Sequence, residues 1–109
     1  MPPFLVTFLV QIALQFVMKL LVPKGLEVVE EALEPHKDNL KQALKEHLPK
    51  EWKDMPVDGV IDSILPIVFD LIKDRVADNI PLAEADVPEL SAHVLAVAYA
   101  GNLNSSNIA

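Results

Sequence analysis

Cysteine is absent from this chain, glycine occurs only three times and arginine once. Without thiols there is no disulfide framework, no zinc ribbon and no cysteine nucleophile. The glycines, at positions 25, 59 and 101, stand singly at turns or helix ends, so no glycine-rich loop is formed to cradle a phosphate or a dinucleotide. His36 and His47 lie eleven residues apart, which puts them about three helical turns from each other, too far to share a metal ion. They read as structural histidines. Ser91 and His93 point to different sides of any helix that holds them. With no triad, phosphate loop or ligand cluster, the expectation is a protein that is not an enzyme, with no catalytic residue, no metal and no cofactor.

Positive charge is scarce where negative charge accumulates. Of a formal net charge of −7, residues 1–22 contribute only Lys19, and residues 23–53 balance six lysines against seven acids. Residues 54–89 then set nine acids against Lys73 and Arg75. An acidic half of this kind repels phosphate backbones, which excludes nucleic acid as a partner.

What the chain does contain is a long apolar run. Residues 4–22, FLVTFLVQIALQFVMKLLV, include only four polar side chains, Thr7, Gln11, Gln15 and Lys19. Pro2 and Pro3 suit the start of a helix. A 19-residue helix rises about 28 Å, just short of the roughly 30 Å hydrocarbon thickness of a bilayer. The polar residues recur every fourth position and line one stripe, with apolar groups around the rest of the circumference. At 109 residues the chain suffices for one domain, and the body left after the first 22 is marginal as a free-standing core. The run is therefore expected to draw its apolar surroundings from outside the chain.

Three placements follow. In the first, residues 1–23 form a single-pass membrane anchor whose polar stripe contacts other spans; Lys19 snorkels, and Lys19 and Lys24 put the C-terminal body on the cytoplasmic side. In the second, the helix is a spine buried between protomers of a large symmetric assembly, soluble or viral, with the stripe facing water. In the third, Gln11 and Gln15 line the pore of a membrane oligomer, though a pore former needs no large acidic body. A signal peptide fits poorly, because no basic segment precedes the run and no small-residue cleavage site follows it.

The body, residues 24–101, has the spacing of amphipathic helices interrupted by prolines. Pro35 separates helices at about 25–34 and 35–48, and Lys37, Lys41 and Lys45 form a row that reads as a solvated face. Trp52, the only tryptophan, sits in the loop after Pro49, where it either covers the edge of the small core or serves as a candidate docking residue for a partner or a membrane interface. Pro66 predicts a break near 63–65 between helices at 57–65 and 66–79. Along these run Asp58, Asp62, Asp70, Asp74 and Asp78, stepping by four with Pro66 in the missing step. The stripe lacks the glycine and terminal glutamate of a calcium loop and the Glu-x-x-His units of a di-metal bundle. It reads as a solvated acidic face or as a docking surface for a basic partner. Asp86 and Glu89 make a capping pair that starts a last helix, ended by Gly101 near Ala100. In that helix Ala92, Ala96 and Ala100 form a small-residue ridge suited to close helix packing. Residues 102–109 are a polar tail.

These signals converge on an all-α protein, a long apolar N-terminal helix followed by a small acidic bundle. The expected function is that of a non-enzymatic structural or accessory subunit, held in a membrane by its first helix. Its expected partners are other protein subunits, in a homo- or hetero-oligomer, and a lipid bilayer. The alternatives are a virion-like assembly subunit and a pore-forming oligomer.

Overall fold

Apolar residues recur through the chain at helical spacing, and the folded protein realises that spacing as helices packed around the first of them. The computed structural model describes residues 3–20, 33–80 and 82–101. Among these residues there are four α-helices, α1 (Pro3–Leu20), α2 (Glu34–Glu46), α3 (Asp58–Ala77) and α4 (Val87–Ala100), with 3-10 turns at Lys50–Trp52 and Glu84–Asp86. No strand occurs among the described residues, so the protein is all-α. The helix expected at 25–34, the turn around Pro23 and the polar tail lie outside the described residues.

The first helix does not look outward for its surroundings. It packs against α2, α3 and α4 together, most extensively against α3 and α4. Leu5, Val6, Leu9, Val10, Ala13, Leu14 and Val17 are buried to within 1 % of completeness, two adjacent i, i+4 stripes that form the middle of one continuous core. A third stripe, Phe8, Ile12 and Phe16, is partly buried against that core. The stripe of Thr7, Gln11, Gln15 and Lys19 reaches the surface, partly buried at the first three positions and exposed at Lys19. The radius of gyration, 13.3 Å, matches the roughly 13 Å of a compact 100-residue domain, in keeping with α1 lying within the body. No helix among the described residues is long and apolar enough to cross a membrane. The expectation that the apolar environment comes from outside the chain is thus corrected: about half of the circumference of α1 is sealed by the chain's own helices.

The expected break at Pro66 is also absent, since α3 runs unbroken through it. Proline inside a helix costs about 3 kcal/mol through the lost hydrogen bond and the clash with the preceding turn. Against that, α3 buries Val60, Ile61, Ile64, Leu65, Val68, Phe69, Ile72 and Val76, and each large side chain so buried is worth roughly 1.5–3 kcal/mol. Pro66 itself is exposed, so the carbonyl it leaves unpaired faces the solvent side. Pro35, by contrast, sits in the first turn of α2, where no hydrogen bond is lost.

The ends of α3 and α4 use local chemistry. Asn79, with φ 58°, takes the left-handed position after α3; Ile80 N–H donates to Arg75 O at 2.9 Å and Asn79 N–H to Val76 O at 3.1 Å, which closes a Schellman cap. Before α4 the expected capping pair is replaced by a tighter device. The Asp86 carboxylate accepts the Ala83 N–H at 3.1 Å, and Asp86 N–H donates to Ala83 O at 2.9 Å, so both bonds close the 3-10 turn rather than the helix end. Gly101 N–H donates to Val97 O at 3.1 Å and ends α4 where the sequence places its stop.

One buried group is out of register with its surroundings. Ser91, 3 % exposed on the inner face of α4 beside Val87, Leu90, Val94 and Ala98, has a hydroxyl with no hydrogen-bond partner. A buried unsatisfied hydroxyl costs about 1–3 kcal/mol, whereas alanine removes the oxygen and little volume. Ser91→Ala is expected to stabilise the fold by about 1 kcal/mol and to raise the melting temperature by roughly 4–8 °C. A calorimetric melt that stays put or falls would show that the hydroxyl is bonded in solution.

Candidate interaction surface

The charged rows of α2 and α3 are where the sequence reading and the fold part most usefully. Lys37 and Lys41 are partly buried and Lys45 remains exposed, and all three reach toward the start of α3. Lys45 Nζ lies 3.0 Å from Asp58 Oδ1, Lys41 Nζ reaches both oxygens of Asp62 at 3.1 and 3.3 Å, and Lys37 Nζ is 3.8 Å from Asp62. Further along, the His36 and Phe69 rings stack with centroids 6.4 Å apart, so residues of α2 meet residues of α3 in reverse order and the two helices run antiparallel. Lys45, through its hydrogen bond first and its charge second, with the charge of Lys41 adding, holds the Asp58 carboxyl below the ordinary aspartate value, while burial opposes. Asp58 also occupies the first turn of α3, where the helix dipole favours a negative charge.

The aspartate stripe is therefore divided. Asp58 and Asp62 are spent on lysines of α2, whereas Asp70 and Asp74 are exposed and enter none of the ion pairs among the described residues. Lys73, the nearest cation in sequence, turns its ammonium over the Phe69 ring, 5.7 Å from the centroid. Asp78 is exposed at the C-cap of α3.

Asp70 and Asp74 rim a groove between α3 and α4 of about 200 Å³, lined also by Ile67, Leu71, His93 and Val97. Ile67 and Leu71 are partly buried, and Val97 is 44 % exposed. Next to it runs the outer face of α4. The ridge of Ala92, Ala96 and Ala100 lies on that face and is exposed, together with Tyr99. Among the described residues this ridge mediates no close helix packing; α4 turns Val87, Leu90, Ser91, Val94 and Ala98 inward instead. From position 92 onward the face carries no formal charge. The groove and this face form one surface, acidic along one edge and smooth along the other.

The remaining candidates lie elsewhere. Trp52 is partly buried at the start of α1, its ring 5.2 Å from that of Phe4 and 5.6 Å, edge-on, from that of Phe8. It closes the core edge there, while Phe4 remains 60 % exposed. His47 performs a similar task at the other end of α1. Its ring meets Phe16 edge-on at 4.7 Å, and its Nδ1–H donates to Ala43 O at 3.0 Å. Lys19 and Glu84 pair at 3.6 Å with both side chains exposed, a contact of at most about 1 kcal/mol. The sequence reading singled out Asp70 and Asp74 but not Ile67, Leu71 or His93 as their neighbours. His93 and Val97, four apart, were legible as one face of a helix; which residues of α3 lie opposite them was not.

Chemically, this surface offers carboxylates and apolar contact. Among the described residues no three histidine or carboxylate groups converge as metal ligands would. A comparison with protein-family models, with curated proteins and with solved structures finds no match for the chain.

Proposed function

We propose that this chain is a non-enzymatic structural or accessory subunit that joins a larger assembly through the outer faces of α3 and α4, with α1 as the spine of its own bundle. The observation that carries this reading is the exposed, uncharged face of Ala92, Ala96, Val97, Tyr99 and Ala100 beside a groove with an apolar floor. Small residues let another backbone approach closely, and a chain of net charge −7 has no need of such a face for solubility. Of the placements open to the apolar helix, the assembly subunit fits this geometry better than the membrane anchor. A membrane span would have to withdraw Leu5, Leu9, Leu14 and Val17 from the core that they share with α3 and α4.

Two measurements test the reading together. In cells that make it, the protein is expected to be released by alkaline carbonate and to migrate on native gels in a discrete complex well above its 12.0 kDa. Ala96→Arg is expected to return it to monomer size without changing its far-UV circular dichroism. A form starting at Lys24 is expected to lose cooperative unfolding, because it lacks the spine. Full-length protein that resists the wash, beside a Lys24 form that still folds, would restore the membrane anchor; a wild-type chain that runs as a monomer would remove the assembly.

A further inference from the structure

The division of the aspartate stripe identifies the chemistry of what this surface binds. We propose that the α3–α4 groove is the docking site for an amphipathic helix of another protein that carries lysine or arginine along one edge and a small apolar side chain at its centre. This rests on the assembly reading above and names the partner's chemistry.

Charge complementarity supplies the first step. Asp58 and Asp62 show what this stripe does when a lysine row is laid alongside it at helical spacing: the lysines of α2 pair with it at 3.0–3.8 Å. Asp70 and Asp74 continue the same stripe one proline further on, at the same four-residue step, and enter none of the ion pairs among the described residues. A second lysine row, supplied in trans, repeats the arrangement of α2. Among the described residues no second such row is left for Asp70 and Asp74, since Lys37, Lys41 and Lys45 are engaged with Asp58 and Asp62, and Lys73 is turned over Phe69. A second copy of this chain brings the same acidic excess and is repelled by it, whereas a basic partner is steered toward it.

Geometry supplies the second step. Ile67, Asp70, Leu71 and Asp74 advance by three and four along α3, and His93 and Val97 by four along α4. Such walls accept a helix lying along them, read by anchors at matching steps. A volume of about 200 Å³ holds one or two side chains and not a whole helix. The occupant therefore inserts an apolar residue over Ile67, Leu71 and Val97, and rests its backbone against the alanine ridge.

The test uses the full-length protein and two labelled synthetic helical peptides of equal length and hydrophobicity. One has lysines at i and i+4 beside a leucine–alanine face; the other has glutamates in their place. The lysine peptide is expected to bind, with affinity falling as salt rises, and the glutamate peptide is not. Asp70→Asn with Asp74→Asn is expected to weaken the lysine peptide roughly tenfold and to flatten the salt dependence, while Asp58→Asn leaves the affinity unchanged. Val97→Lys is expected to abolish binding. Thermal melts of each variant confirm that the fold is retained. Equal binding of the two peptides, or full affinity in the Asp70→Asn, Asp74→Asn variant, overturns the proposal. So does a concentration-dependent dimer that Val97→Lys dissolves, which would assign the face to a second copy. If Ala96→Arg releases the protein from its native complex while Asp70→Asn, Asp74→Asn does not, the assembly reading stands and this one falls.

Discussion

A Leu9→Gln variant is expected to lose cooperative thermal unfolding, whereas Gln11→Leu, two positions along the same helix, keeps the wild-type melt. Leu9 is completely buried among the core residues of α1, α3 and α4. Replacing it removes an apolar burial worth roughly 1.5–3 kcal/mol and places a primary amide where it finds no partner, at a further cost of about 1–3 kcal/mol. The sum, roughly 2.5–6 kcal/mol, is a large part of the whole stability of a small domain, about 5–15 kcal/mol. Gln11 lies on the stripe that reaches the surface, and leucine there disturbs neither packing nor hydrogen bonding inside the bundle. Circular dichroism melts of the two variants decide the matter. A helix surrounded by lipid would tolerate the leucine at either position and respond to the glutamine only modestly, so two variants with similar melts would refute the sheathed spine described here.

That contrast also marks what the sequence reveals and what it conceals. The stripe of Thr7, Gln11, Gln15 and Lys19 is legible because polarity at every fourth residue is a local pattern, and it does reach the surface. What covers the other side of α1 is not local. Burying Leu5, Leu9 and Leu14 takes Leu40 and Leu44 of α2, Ile64 and Val68 of α3, and Leu90 and Val94 of α4, all in one core, and no spacing rule says that these faces meet one another rather than a bilayer. The same holds for charge. The lysine row of α2 and the aspartate stripe of α3 are each visible as an i, i+4 series, and each alone reads as solvated. Only the antiparallel pairing of the helices sets Lys45 against Asp58 and Lys41 against Asp62, and so leaves Asp70 and Asp74 as the unspent part. The alanine ridge is legible as a surface suited to close packing, but not as an outer one: a helix on the outside of a small bundle has only one inward face, and α4 gives it to Val87, Leu90, Ser91, Val94 and Ala98.

Phe69→Ala is expected to destabilise the protein by about 3–5 kcal/mol, the usual cost of truncating a buried phenylalanine, and to lower the melting temperature by roughly 12–40 °C. The adjacent change, Asp70→Ala, is expected to stay within about 0.5 kcal/mol of wild type. Phe69 is the largest of the fully buried side chains, 1 % exposed, with the His36 ring of α2 stacked on one side and the Lys73 ammonium 5.7 Å from its centroid. Its residue number follows Pro66 by three, on the turn that a proline break would release. The burial of Leu65 before the proline and of Val68 and Phe69 after it keeps the two halves of α3 in line, and only a continuous α3 carries the aspartate stripe from the α2 lysines into the groove. Removing the ring leaves the cost of Pro66 less fully offset, so the loss should exceed that of a Phe69→Leu change by more than the difference in side-chain volume implies. Calorimetry on Phe69→Ala, Phe69→Leu and Asp70→Ala tests this. If Phe69→Ala melts where Asp70→Ala does, then α3 presents a different face to α1 in solution, and Asp70 does not rim the groove.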